Sequence, residues 1–268
     1  MVPQPPESGA IRRSPPACAG GSVIVVPCYN EERRLNRQTF REFISSSPDP
    51  IFLLFVDDGS RDGTRQMLSE LEAYCPERAR LLALPANAGK AEAVRRGMLE
   101  AIDWGPESVG FWDADLATPL STIAEFRALL ATRPNTNWIF GSRVKMLGRQ
   151  IDRRPLRHYL GRVFATATSM TLDLAIYDSQ CGAKLFRVND ALRAVLGQPF
   201  LSRWIFDVEM LARLTAEARA GRATLPRDCV YEAALTRWED VAGSKVKPRD
   251  FVRASLELGA IWRRYLRA

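Results

Sequence analysis

Residues 111–119, FWDADLATP, decide how the rest of the chain is read. Two aromatic residues run into two carboxylates one residue apart, Asp113 and Asp115, and Pro119 stops the segment. In an extended chain, side chains two apart share a face, so both carboxylates point the same way. Two carboxylates held together repel and raise each other's pKa unless a cation lies between them. Mg²⁺ or Mn²⁺ answers that need, because hard divalent ions take oxygen ligands and bridge one or two carboxylates to substrate phosphates. For an Asp-x-Asp in isolation, a solvated turn is the plainer reading. Position at the end of a buried strand counts against the turn.

That strand is one of a series. SVIVVP (22–27), IFLLFVDDGS (51–60), VGFWDAD (109–115) and NWIFGSR (137–143) are apolar runs that end in polar residues. Continuous apolar runs suit strands covered on both faces of a parallel sheet. Between them lie helical patterns: residues 30–47 with Asn30 as the expected N-cap, 60–75, 87–102 and 121–132. Strand and helix in alternation predict an α/β fold with right-handed crossovers and a doubly wound, mostly parallel sheet. Ligands of such sheets bind beyond the carboxyl ends of the strands. The polar clusters PCYNEE, DDGSRDGT, DADLATP and GSR stand at those ends. No GxGxxG follows the first strand and no GxxxxGK[ST] occurs, so the common dinucleotide and P-loop readings lose support.

The chain has 268 residues, 46% hydrophobic and 26% charged, which is ordinary for a globular protein. Its formal charge of +7 suggests an anionic partner: nucleic acid, a phosphorylated small molecule or an acidic membrane surface. Basic residues concentrate between Gly141 and Arg162 and again after Gly243. No helix-turn-helix, zinc-finger or RNA-binding signature accompanies them, which disfavours nucleic acid. Five cysteines without CxxC spacing indicate neither a disulfide framework nor zinc, and fit a reducing cytosol. The Pro-rich residues 1–20 read as a disordered leader without a signal-peptide core. No segment reaches the roughly 18 uncharged apolar residues of a spanning helix; YLGRVFATATSMTLDLAI (159–176) is interrupted by Arg162 and Asp173.

VIVVPCYNEE, FVDDGSRDGT, NAGKAEAVRRG and DADLATP, in this order, resemble the catalytic domain of family 2 inverting glycosyltransferases, the Rossmann-like GT-A fold. Downstream, DSQCGAKLFR, RWIFDVEML and VAGSKVKPRDF are similar to the dolichyl-phosphate β-glucosyltransferase branch, beside the polyprenyl-phosphate mannosyltransferases. The resemblance covers residues 22–266 and implies a GT-A domain at 21–238, then a flap and an interfacial C-terminal helix at 239–268. It places Pro27, Tyr29, Glu31 and Asp58 along a nucleotide pocket, with Asp57 orienting the base and Gly89 and Lys90 against the nucleotide. Asp113 and Asp115 would hold the metal on the donor diphosphate. Arg143 would contact the acceptor phosphate, assisted by Arg157. Gln180, Cys181 and Gly182 would border the sugar. The mannosyl relatives offer a Gln two residues after the second Asp as a further metal contact; Ala117 stands there, so water or phosphate must supply that ligand. Eukaryotic glucosyl relatives carry an N-terminal membrane helix not seen in this sequence, which implies peripheral attachment on the cytoplasmic face of a membrane.

The implied reaction transfers glucose from UDP-glucose to a polyprenyl phosphate. Mannose from GDP-mannose, or another hexose or acceptor, is the alternative. An acceptor phosphate monoester is already ionised, its second pKa being near ~6, so no strong base is required. The sole histidine, His158, reads as a surface residue in a basic helix. Asp207 and Glu209 remain as candidate bases. Positions two apart on a helix do not share a face, so one of them is expected at the site, and Asp207 is assigned a polar contact near the acceptor, with capping or ion pairing as the alternative. Lys245 is placed on a flap, or on a basic surface loop. Residues 149–172 read as an amphipathic helix whose Leu156, Leu160, Phe164, Ala167 and Leu172 meet acyl chains. SLELGAIWRRYLRA at the C-terminus fits either an interface or the core.

Overall fold

The computed structural model describes residues 18–152, 155–241 and 248–267, without the side chains of residues 155–160 and 248–252. The strands are β1 (Ser22–Cys28), β2 (Ile51–Asp57), β3 (Ala79–Ala83), β4 (Ser108–Trp112), β5 (Trp138–Ser142), β6 (Gln150–Asp152), β7 (Ala183–Arg187), β8 (Val230–Ala234) and β9 (Arg237–Glu239). The helices are α1 (Arg37–Ser46), α2 (Thr64–Tyr74), α3 (Lys90–Ile102), α4 (Thr122–Thr132), α5 (Pro155–Leu172), α6 (Asp190–Leu196), α7 (Phe206–Arg219), α8 (Pro226–Cys229) and α9 (Pro248–Ile261). A π-helical turn, Trp262–Leu266, continues α9.

The main sheet runs β3-β2-β1-β4-β7-β5-β8. β3, β2, β1 and β4 are parallel, β7 is antiparallel to both β4 and β5, and β8 is parallel to β5. The chain winds outward from β1 through β2 to β3, then returns to set β4 on the other side of β1. The order therefore reverses between β1 and β4, where sheets of this kind open a crevice.

The apolar runs are explained by cover on both faces. Val23 and Val25 of β1 join a cluster with Val94 and Met98 of α3 and with α6, α7 and α9, while Ile24 and Val26 join Phe40, Leu68 and Phe126 of α1, α2 and α4. The same alternation divides Leu54 and Val56 from Leu53 and Phe55, and Phe111 from Trp112. Each such side chain, fully buried, contributes about 1.5–3 kcal/mol of transfer free energy, so a strand buried on both faces cannot spare an alternate position.

Two expected elements shift. The first helix begins at Arg37 with Asn36 as its cap, its side chain accepting from the Thr39 N–H. Asn30 instead adopts a left-handed backbone, φ 51°, and its side chain accepts from the Arg61 N–H. Residues 30–32 are thus bound to the segment after β2, which competes with helix formation. Residues 150–152, expected as the start of the basic helix, form β6 and pair with β9. Of the residues expected to meet acyl chains from α5, Leu172 is buried and Phe164 packs on the core, Ala167 is exposed, and the side chains of Leu156 and Leu160 lie outside the described residues; Val163 and Met170 are exposed as well. No helix among the described residues is long and apolar enough to cross a membrane.

Candidate active site

A cavity of about 580 Å³ opens over the carboxyl ends of β1 and β4. Pro27, Tyr29, Glu31 and Arg34, which follow or end β1, form one wall. The segment is anchored from across the sheet, the Asn30 N–H donating to Ser60 Oγ at 3.0 Å and the Glu31 N–H to Thr64 Oγ1 at 2.8 Å. Asp58 lines the same wall, and its carboxylate accepts from the N–H groups of Ala88 (2.7 Å) and Gly89 (2.9 Å) and from Asn87 Nδ2 (2.9 Å). Burial raises its pKa above the ordinary 3.8, and those N–H groups pull the other way. Gly89 has φ +94°, where a side chain would be strained. Asp57 lies outside the cavity wall. Its fully buried carboxylate accepts from the Ser60 N–H and pairs with Arg65 Nε at 2.7 Å, so it braces the turn after β2.

Asp113 and Asp115 both line the cavity. Lys90 Nζ lies 2.5 Å from Asp113 Oδ1, and Arg34 donates to Asp115 Oδ2 at 2.9 Å while sitting 3.5 Å from Glu31. Burial would lower the Lys90 pKa, yet Asp113 and Asp207 together hold it above the ordinary value. Gly182 is required for this geometry: a Cβ there would come within 1.9 Å of Asp113 Oδ2. The Ala117 N–H donates to Asp115 Oδ1 at 3.2 Å, with Leu116 between them at φ 55°. No cluster of three or more Asp, Glu, His or Cys suited to a metal occurs among the described residues. Two carboxylates facing an open, cation-lined cavity nonetheless fit Mg²⁺ or Mn²⁺, which keep waters and phosphate oxygens as their remaining ligands.

Arg143, expected at the acceptor phosphate, reaches the cavity with its guanidinium committed. Nε and Nη2 donate to the two oxygens of Asp178 at 2.6 and 2.8 Å, and its backbone N–H donates there at 3.0 Å. Burial opposes its charge, but Asp178 raises its pKa further above the ordinary value. Glu232 on β8 accepts from the Tyr177 and Asp178 N–H groups at 2.7 and 2.8 Å, which fixes that loop. Gln180 lines the cavity with its amide nitrogen buried and without a hydrogen-bond partner among the described residues. Its neighbour Cys181 is fully buried behind the wall, and burial raises its thiol pKa.

Asp207 lines the cavity and Glu209 does not. Asp207 lies 2.7 Å from Nζ of Lys184, a fully buried lysine between the rings of Phe111 and Phe140. Burial raises the Asp207 pKa, and Lys184 and Lys90 restrain the rise. Glu209 is a structural hub. It accepts from the Leu201 and Ser202 N–H groups, from Arg213 at 2.7 Å and from the Tyr265 hydroxyl at 3.0 Å. Lys245 and the side chains of Arg157 and His158 lie outside the described residues.

Arg34, Asp178, Lys184, Arg162 and Arg203 escaped the sequence reading. Arg34 could have been found three residues after Glu31, and Asp178 two before Gln180. Lys184, in an otherwise apolar strand AKLFR, carried the signal of a charge that burial must pair. The fold is that of glucosyl-3-phosphoglycerate synthase from Mycobacterium tuberculosis, solved with Mn²⁺ and UDP-glucose: TM-score 0.60, 19% identity, over 91% of this chain and 75% of that one. In sequence the chain is similar to dolichyl-phosphate beta-glucosyltransferases of Drosophila melanogaster (33% identity, 91% of this chain, 74% of the relative) and Trichomonas vaginalis (29%, 88% and 69%). Residues 23–192 match the family described as Glycosyl transferase family 2. That match runs from β1 into α6 and takes in most of the residues that line the cavity, and the chain belongs to glycosyl transferase family 2.

Proposed function

We propose that the protein transfers glucose from UDP-glucose to a polyprenyl phosphate with inversion, giving a polyprenyl β-glucosyl phosphate. The observation that supports this best is the Asp113/Asp115 pair at the end of β4, opposite Lys90 and Arg34. Those carboxylates would hold Mg²⁺ or Mn²⁺, which supplies charge neutralisation for a leaving nucleoside diphosphate. Lys90 and Arg34 add fixed positive charge beside it. Asp58, with its N–H cradle, and Tyr29 and Glu31 form the nucleoside end. The Gln180 amide, unpartnered among the described residues, is a donor for a sugar hydroxyl.

In the reaction the bond from the anomeric carbon to the diphosphate breaks and the electron pair leaves with UDP. A bond to the acceptor phosphate oxygen forms from the opposite face. The acceptor oxygen is already anionic, so Asp207, paired with Lys184, serves as a polar wall rather than a base. The glucosyl reading rests on the relatives named above. Lipid access is supported by Val163 and Met170 on α5, Leu256 on α9, Trp262 after it and Trp204 before α7, all exposed. We infer that this side lies on the cytoplasmic face of a membrane without crossing it.

The test is a donor screen against farnesyl phosphate with Mg²⁺ or Mn²⁺. UDP release with UDP-glucose, dependent on the acceptor, is expected. Turnover only with GDP-mannose would move the protein to the mannosyl branch, and turnover with neither donor would overturn the acceptor class.

A further inference from the structure

Five carboxylates that line the cavity face a cation among the described residues. Asp113 faces Lys90, Asp115 and Glu31 face Arg34, Asp178 faces Arg143, and Asp207 faces Lys184. Asp58 is held by N–H groups. Two further guanidinium groups line the same cavity, Arg162 and Arg203, and neither forms an ion pair among the described residues.

Arg203 belongs to the nucleoside end. Its Nε donates to the Ala88 carbonyl at 3.2 Å, it lies against Gly89, and its charge favours the ionised form of Asp58. Arg162 is elsewhere, on α5. Its guanidinium carbon stands 3.7 Å from the centre of the Tyr177 ring, and Nη1 donates to the Tyr177 carbonyl at 3.0 Å. Stacking fixes the plane of the guanidinium, and one hydrogen bond leaves most of its five N–H donors free.

Consecutive residues thus orient two arginines: the Tyr177 ring holds Arg162, and the Asp178 carboxylate holds Arg143. The charge of Arg143 is cancelled where it stands, and that of Arg162 is not. The next residue on α5, Val163, is exposed, and Phe164 and Ala165 line the cavity, so the free charge sits where an apolar surface meets the mouth. A phosphate monoester on an alkyl chain requires both.

Resting on the function proposed above, we propose that Arg162, stacked on Tyr177, docks the phosphate of the acceptor. A dianionic phosphate takes paired N–H donors from a planar guanidinium.

Arg162→Gln and Arg162→Lys test this in the full chain, with farnesyl phosphate as acceptor and farnesol as the uncharged control. Arg162→Gln is expected to raise the KM for farnesyl phosphate by about 10-fold or more, with the KM for UDP-glucose changed less than about twofold and the Tm unchanged. Arg162→Lys should recover part of the loss. Quenching of Trp204 and Trp238, which line the cavity, should show farnesyl phosphate binding weakened and farnesol binding unmoved. An unchanged KM for farnesyl phosphate, or equal losses for donor and acceptor, would overturn the assignment while leaving the proposed function standing. If the wild type fails to transfer, that function falls, and the quenching titration still decides Arg162: equal farnesyl phosphate affinity in wild type and Arg162→Gln overturns it.

Discussion

Two acidic pairs share one spacing and meet opposite fates. Asp113 and Asp115 follow β4, and both carboxylates enter the cavity. Asp207 and Glu209 lie in the first turn of α7, and only Asp207 enters it, while Glu209 is buried against Arg213 and Tyr265. β4 ends at Trp112, and Asp113 and Asp115 lie in a turn in which the Leu116 N–H donates to the Asp113 carbonyl at 3.2 Å and Leu116 has φ 55°. A helix turns about 200° over the same step. The same acidic spacing therefore gives two site carboxylates in a turn that follows a strand, and one site residue plus one brace on a helix.

The largest expected effect falls on the strand pair. Asp115→Asn should lower metal-dependent transfer by about 10³-fold while circular dichroism and Tm stay near wild type; full activity would remove Asp115 from the site. For the helix pair the expectation reverses. Glu209→Ala leaves Arg213 buried without its carboxylate, and breaking a buried pair costs about 3–5 kcal/mol. Urea unfolding should show that loss, and an undiminished midpoint would mean that the hub contributes nothing to stability.

Gly182→Ala sharpens the contrast from the side of the strand. A Cβ that close to Asp113 must displace the carboxylate, so transfer should fall by about 10²-fold with a stability cost of about 1–3 kcal/mol. Activity and Tm measured on one preparation separate the two losses; unchanged transfer would show that Asp113 has room to move.

The smallest effect is a slope. Burial raises the Glu232 pKa above the ordinary 4.5, against the Tyr177 and Asp178 N–H groups. Between the ordinary and the raised value the native state holds a proton that the unfolded chain has lost. Stability then falls as pH rises through that window and levels off above it. Glu232→Gln should flatten the slope in urea midpoints taken from pH 4 to 7, and an unaltered slope would assign it to another group.

Much of this was legible before the structure. The order of strands and helices followed from apolar runs of strand length separated by amphipathic periods, and the end of the strand that carries Asp113 and Asp115 followed from where those runs met charge. Asn30 misled because a good capping residue can also serve a turn, and its partner Arg61 is supplied by another loop. The stripe of α5 misled because period alone does not say which side is already covered, and Phe164 and Leu172 had core to meet.

The residue sequence determined the α/β class, the polar strand ends and the acidic residues set upon them, because these depend on local period and on chain order. Tertiary structure alone decided which cation meets which carboxylate. Arg34 and Asp115 are separated by 81 positions, and Arg143 and Asp178 by 35. Such pairs form only where crossovers bring strand ends together, and their arrangement leaves Arg162 and Arg203 without carboxylate partners among the described residues.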